Sequence, residues 1–257
     1  MDGYRELIEC GHGPIVDAAM KCEAVFSTHE RALVSISGGA DSDVMLDLCE
    51  RVRQEVGIQV DYVWFDTGME YRATREHLQY LEQRYGIDIM RQRSVKTIPV
   101  CAREHGQPFV SKMVSHHLEI LQYHGFGWDD KTVGTLHMMY PRIPLSTIRW
   151  WCDDYATMHN AYNAYCISRN KYLKQFVMQN PPWFRISADC CKYAKKRTKH
   201  ELLADGDWDV ELVGIRQTEG GVRSLHGRCF IEGGGLRDRV DEYYPLYWLR
   251  NGHLPHG

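Results

Sequence analysis

Apolar residues recur at helical spacing over 14–29, give way to an apolar run within 31–37, and return to helical spacing over 42–56. The exchange repeats, with a strand-like run at 60–65, a helical pattern at 71–85 and a short run near 87–91. Strands alternating with helices predict right-handed crossovers and a doubly wound, mostly parallel α/β sheet of Rossmann-like layout. Beyond residue 92 the rhythm is lost. Residues 108–123 carry another helical pattern, while 124–150 concentrate Gly, Trp, Pro and Thr and read as loops and short turns. Residues 153–179 space aromatic and aliphatic groups helically among basic ones until Pro181 and Pro182 stop the pattern. A last strand is expected at 209–215, where Val210-Glu-Leu-Val-Gly-Ile215 is mostly apolar.

Composition narrows the class. With 257 residues, 44% hydrophobic and 25% charged, the chain buries a full core in one or two domains. A net charge of -3 with both signs interspersed gives no general basic field, so nucleic acid is not supported as a partner. The N-terminal stretch is acidic where a signal peptide is basic, and no apolar run reaches the roughly 18 residues of a membrane helix. A cytoplasmic location without membrane contact is expected. Nine cysteines, an odd number, then read as buried thiols or metal ligands rather than disulfides.

The chemistry concentrates at Ser37-Gly38-Gly39-Ala40-Asp41-Ser42, between the first strand and the helix behind it. Backbone N–H groups from Gly38 to Ser42 can point at an anion, the helix dipole adds positive charge there, and glycine lets a ligand approach closely. Ser37 and Ser42 add hydroxyl donors. The segment lacks the Lys-Ser/Thr pair of a Walker A loop and the spacing of a dinucleotide fingerprint. Asp41 fits either a helix N-cap or a group oriented toward a metal-bound pyrophosphate. A plain capped strand-to-helix turn is the alternative reading of the bare glycines.

The full string resembles the S-G-G-x-D-S pyrophosphate loop of the adenine-nucleotide alpha-hydrolase superfamily and, within it, the phosphoadenosine phosphosulfate (PAPS) reductase family. Val63-Trp-Phe-Asp-Thr-Gly-Met-Glu-Tyr-Arg-Ala-Thr-Arg75 is similar to that family's second strand and its D-T-G turn, which places Asp66, Thr67 and Gly68 beside the first loop. Gly106-Gln-Pro-Phe-Val-Ser-Lys112 resembles a G-x-P-x-x-S-K segment, with Lys112 a phosphate contact or a surface lysine. Val213-Gly-Ile-Arg-Gln-Thr-Glu-Gly-Gly-Val-Arg223 looks like G-x-R-x-x-E-S-x-x-R, with Gly220 in place of the serine. The resemblance implies Arg216 and Arg223 as bidentate anion contacts, with Glu219 holding one guanidinium. Ile186-Ser-Ala-Asp-Cys-Cys-Lys-Tyr-Ala-Lys-Lys196 is similar to I-S-D-K-C-C-x-x-x-K-K. From Cys190 and Cys191 of this stretch and from Cys229 in His226-Gly-Arg-Cys229 the resemblance implies a [4Fe–4S] cluster; the family's fourth ligand has no counterpart after 229, and Cys152, with Cys166 behind it, is the substitute expected. Thiols without metal are the alternative. Pro245-Leu-Tyr-Trp248 resembles P-L-x-x-W, one residue shorter.

The resemblance implies a single domain over 1–257, its nucleotide-binding core formed by about 30–115 and 184–248, with a helical and irregular insertion at about 124–182. ATP or PAPS is the expected ligand, with Mg²⁺. A reductase of this family needs a nucleophilic cysteine, usually near the C-terminus, and 251–257 contains none. The expectation is therefore cleavage of ATP at the α–β bond to adenylylate a substrate, for sulfur transfer. Asp41, Arg216 and Arg223 would serve that chemistry, with Cys190 as the thiol. A PAPS or APS reductase releasing sulfite, with a thioredoxin-like or sulfur-donor partner, is the runner-up. A catalytically inactive nucleotide-binding module is the third reading.

Overall fold

The computed structural model describes residues 2–155, 166–219, 227–233 and 240–250. The chain divides into two compact units, one formed by residues 1–94 and 197–257, the other by 95–196.

The first unit is built on the alternation expected from the sequence. Helices α1 (Asp2–Glu9) and α2 (Gly13–Thr28) precede β1 (Arg31–Ser35), α3 (Ala40–Val56), β2 (Gln59–Asp66), α4 (Arg72–Tyr85) and β3 (Ile89–Arg93). The chain returns to this unit with α10 (Thr198–Asp205), β4 (Val210–Val213), β5 (Phe230–Ile231) and β6 (Asp241–Tyr243). Six strands form one sheet in the order β3-β2-β1-β4-β6-β5. All pairs are parallel except β5 with β6. This is the doubly wound α/β fold anticipated from the periodicity. Strand β1 is central because it is apolar on both faces: Ala32, Leu33 and Val34 are all buried. Cys22 and Phe26 of α2 and Met45, Cys49 and Val52 of α3 share one core with Ala32, Val34, Val210 and Leu212 of the sheet. Their burial is the main stabilising term of the unit.

The second unit holds α5 (Ile98–His105), α6 (Lys112–Tyr123), α7 (Val133–Met139), α8 (Leu145–Trp151) and α9 (Leu173–Gln179). Its own core is formed by Val114, Leu118, Leu121, Leu136, Trp150 and Trp151 among others. Residues 124–150, expected as loops and turns, contain α7 and α8. Thr132 caps α7 through its hydroxyl, 3.3 Å from the Thr135 N–H, and Trp150 and Trp151 supply burial that seven-residue helices cannot gain from propensity alone. The helical pattern at 153–179 is realised among the described residues as the 3₁₀ turn Ile167–Arg169 and α9 only. Residues 156–165 lie outside the described residues.

The sheet face opposite the α2–α3 core carries a buried charge. Glu211 of β4 is fully buried, with Lys199 of α10 2.7 Å from its carboxylate and the Ser35 hydroxyl donating to it at 3.1 Å. Lys199 also pairs with Glu242 at 2.5 Å. Desolvation pushes the Glu211 carboxyl up despite Lys199. A raised carboxyl in the folded state contributes stability that is complete below the ordinary carboxyl pKa and is lost as pH rises through the folded value. Lys199→Met removes the opposing cation and is expected to cost about 3–5 kcal/mol at neutral pH. That cost should shrink as pH falls toward the ordinary carboxyl range, because protonated Glu211 needs no cation. Urea unfolding across pH measures this, and a deficit independent of pH would contradict it.

Candidate nucleotide site

Strand β1 is hydrogen-bonded on both edges, in register Ser35 to Val63 of β2 and Ser35 to Val213 of β4. The chain order reverses direction across the sheet at this strand, so its carboxyl end opens on the crevice where open α/β sheets take ligands. One more bond, from the Ile36 N–H to the Val63 carbonyl at 2.8 Å, carries the pairing past the strand end. The turn then depends on Gly38. Its φ is +75°, and a Cβ there would stand 2.9 Å from the Thr74 methyl of α4. Gly39 is the N-cap of α3, and the Ser42 side chain closes the cap: its Oγ accepts from the Gly39 N–H at 3.1 Å and donates to the Gly39 carbonyl at 2.7 Å. Ser37 Oγ donates to Ser42 Oγ at 3.2 Å. The Ser42 and Asp43 N–H groups turn back onto the Gly39 carbonyl, at 2.9 and 3.1 Å. Ala40 and Asp41 open the helix just ahead of them, where N–H groups have no intrahelical acceptor.

Asp41 is therefore not the N-cap, which is a correction to one of its two expected roles. It lies in the first turn of α3, and its carboxylate accepts from Arg216 Nε at 2.9 Å. The pair joins the β1–α3 turn to the segment after β4, across the crevice between the two strands. Arg216 is thus brought to the loop as expected. Glu219 lies in the 3₁₀ turn Gln217–Glu219, and its side chain is outside what is described, as are Gly220 and Arg223.

The second turn is built from Asp66, Thr67 and Gly68 at the end of β2. Asp66 is buried; it accepts from Arg91 Nε at 2.8 Å and from the Gly68 N–H at 3.0 Å. Burial works against its charge, but the hydrogen bonds from Arg91 and the Gly68 amide outweigh it and hold the carboxyl at about 2. Glu70 fills this turn. Its carboxylate accepts from the Thr67 N–H at 2.8 Å, the Gly68 N–H at 2.9 Å and the Met69 N–H at 3.1 Å, and from the Thr67 hydroxyl. Three successive backbone donors on one carboxylate make an anion nest occupied by the chain itself. Glu70 and Arg91 were not among the expected site residues. The Thr67-x-x-Glu70 spacing of a capping box was the available signal for Glu70; Arg91, on a short strand, gave none. On the α3–α4 side, His77 Nε2 lies 2.6 Å from Asp43 Oδ2.

The remaining expected site residues lie mostly in the second unit. Lys112 is exposed at the first position of α6, whose N-cap Ser111 accepts from the Val114 N–H at 3.3 Å. Gly106, at the head of the same stretch, has a structural reason: with φ +117°, a Cβ would stand 2.6 Å from the Arg185 carbonyl. There the Gln107–Ile186 bridge sets the Gly106–Lys112 stretch beside Ile186-Ser-Ala-Asp-Cys-Cys. Glu119 secures the latter by accepting from Ser187 Oγ and the Ala188 N–H, both at 3.0 Å. Cys190 and Cys191 follow, both half-buried. Desolvation first, then Cys191 and more weakly Cys101, push the Cys190 thiol up. Cys152 caps α8, donates to the Lys131 carbonyl at 3.4 Å and is also raised, chiefly by burial. Cys166 is buried, and Cys229 belongs to the first unit. Among the described residues no three Cys, His, Asp or Glu side chains gather into a metal-holding group.

No helix among the described residues is long and apolar enough to cross a membrane. An uncharacterized protein of Methanocaldococcus jannaschii is 35% identical over 79 residues, which is 28% of this chain and 16% of that protein. The chain thus spans a minor part of that relative's length. Residues 31–113 match the family described as phosphoadenosine phosphosulfate reductase domain. That segment runs from β1 through the glycine turn and the Asp66-Thr67-Gly68 turn to Lys112, and over this part the chain is similar to the PAPS reductase family.

Proposed function

We propose that the Ser37–Ser42 turn binds the phosphates of ATP and that the protein cleaves ATP between the α and β phosphates, adenylylating a substrate for sulfur transfer. The observation that carries this reading is the Asp41–Arg216 pair at the mouth of the turn. It fixes a guanidinium, the side chain best shaped for two phosphate oxygens, beside a helix start whose first amides have no intrahelical acceptor. The reaction needs charge neutralisation more than a protein nucleophile: a nucleophilic oxygen of the substrate attacks the α phosphorus, the bond to the bridging oxygen breaks, and pyrophosphate leaves with its electrons. Loop amides and Arg216 stabilise the charge on the departing group. Mg²⁺ accompanies ATP phosphates in such chemistry and neutralises part of their charge. Asp41 is the loop carboxylate that would hold the ion. A sulfonucleotide reductase would need an activated thiolate, whereas desolvation pushes the Cys190 thiol up, away from activation.

Three outcomes are expected. With ATP and Mg²⁺, and water in place of the substrate oxygen, the protein releases pyrophosphate and AMP, and Asp41→Ala, which removes the carboxylate that orients Arg216, lowers turnover roughly 100-fold. Sulfite release from PAPS with thioredoxin, without pyrophosphate release from ATP, would establish the reductase instead; tight ATP binding without turnover would establish an inactive module. Cys190→Ser should leave pyrophosphate release within about two-fold, since no bond is made to sulfur in that step. Gly38→Ala forces a side chain into a positive-φ turn against Thr74 and should abolish ATP binding, read by isothermal calorimetry, while thermal unfolding shows the sheet still formed.

A further inference from the structure

The net charge of -3 averages two units of opposite sign. Residues 95–196 contain thirteen Lys and Arg against seven Asp and Glu, and the rest of the chain contains eighteen against twenty-seven. The excess is densest in 167–196, with seven cations and one acid, Asp189. Only two of the seven pair with acids among the described residues, Lys174 with Asp130 at 2.6 Å and Lys192 with Asp189 at 3.8 Å. Arg169, Lys171, Arg185, Lys195 and Lys196 are exposed.

Large aromatic rings stand among these cations. Trp183 is 92% exposed, Tyr123 83%, Tyr172 66% and Phe176 51%. Scattered exposed apolar residues are ordinary, but these are tied together by the local fold. Tyr172 and Phe176 are one turn apart at the start of α9, joined by the Phe176 N–H donating to the Tyr172 carbonyl at 2.9 Å. Asn180, past the end of that helix, donates to the Phe176 carbonyl. Pro181 and Pro182 then lead to Trp183. Gln122 of α6 clamps this strap by donating to the Pro182 carbonyl at 3.4 Å and the Phe184 carbonyl at 2.8 Å, next to Tyr123. Phe184 backs the Trp183 ring edge-on at 5.6 Å. Lys171 lies 5.1 Å over the Tyr172 ring.

We propose that the surface formed by residues 167–196 binds single-stranded nucleic acid, with Tyr172, Phe176 and Trp183 as stacking platforms and the cations of this stretch as backbone contacts. Uncompensated positive charge selects a polyanion over a protein surface, and exposed flat rings select unpaired bases, whose faces a duplex hides. The proposal goes beyond the nucleotide reaction and does not depend on it.

Fluorescence anisotropy of a labelled 20-nucleotide oligothymidylate with the full chain, without ATP, tests this. Binding is expected at low salt and should weaken as salt rises, the logarithmic slope being about -0.7 per phosphate contacted. Trp183→Ala and the pair Tyr172→Ala with Phe176→Ala should each weaken binding about ten-fold or more. Lys195→Glu with Lys196→Glu should weaken it and flatten the salt slope, with circular dichroism confirming that each variant is folded. Absence of binding at low salt, equal affinity for a duplex of the same length, or affinity unchanged in every variant overturns the proposal. So does tighter binding to vesicles of phosphatidylserine and phosphatidylcholine than to the oligonucleotide.

Discussion

Everything at the carboxyl end of the first unit's sheet depends on one backbone turn. Strand β1 is fixed on both edges by β2 and β4, so its exit point cannot shift, and α3 must start within a few residues because its apolar face is committed to the same core. Gly38 resolves the constraint by turning at φ +75° with Thr74 against its Cα. No other residue type fits both the dihedral and the contact. The turn fixes where the first amides of α3 lie, and it places Asp41 where Arg216 can hold it.

Two kinds of charge management follow in the two units. In the first, charges are paired at short range: Glu211 with Lys199, Asp66 with Arg91, Asp41 with Arg216. These pairs leave little long-range field and position groups for local chemistry. In the second, the cations of 167–196 are mostly unpaired among the described residues, and they act together through a field that salt weakens. Summed net charge erases this distinction.

The core alternation was legible because it rests on periodicity, which survives without tertiary information: β1 to β3 and α2 to α4 all lie where the apolar spacing places them. The segments that escaped are those whose structure comes from burial or capping rather than pattern. Helix α8 is held by Trp150 and Trp151, and α5 and α10 are eight residues each, too short for a clear period. At the site, motif spacing pointed to Asp41 and Arg216, which meet across 175 residues of sequence. It could not point to Arg91, since nothing in Ile89–Arg93 marks one arginine for a carboxylate on the neighbouring strand.

The two anion-capable turns at the carboxyl end of the sheet are not equivalent. The amides of Thr67, Gly68 and Met69 converge on Glu70, a carboxylate supplied by the chain itself. A phosphate entering that nest would have to displace a group already bonded to three backbone donors and leave a second negative charge beside Asp66, which is held ionised down to about 2. The glycine turn of β1 carries no such occupant: its serines bond to each other and to Gly39, and its nearest carboxylate, Asp41, is matched by Arg216. Electrostatics therefore favours the first turn over the second for an anion. The second, negative and closed by its own glutamate, is suited to neutral hydrogen-bond donors such as a ribose hydroxyl or an exocyclic amine.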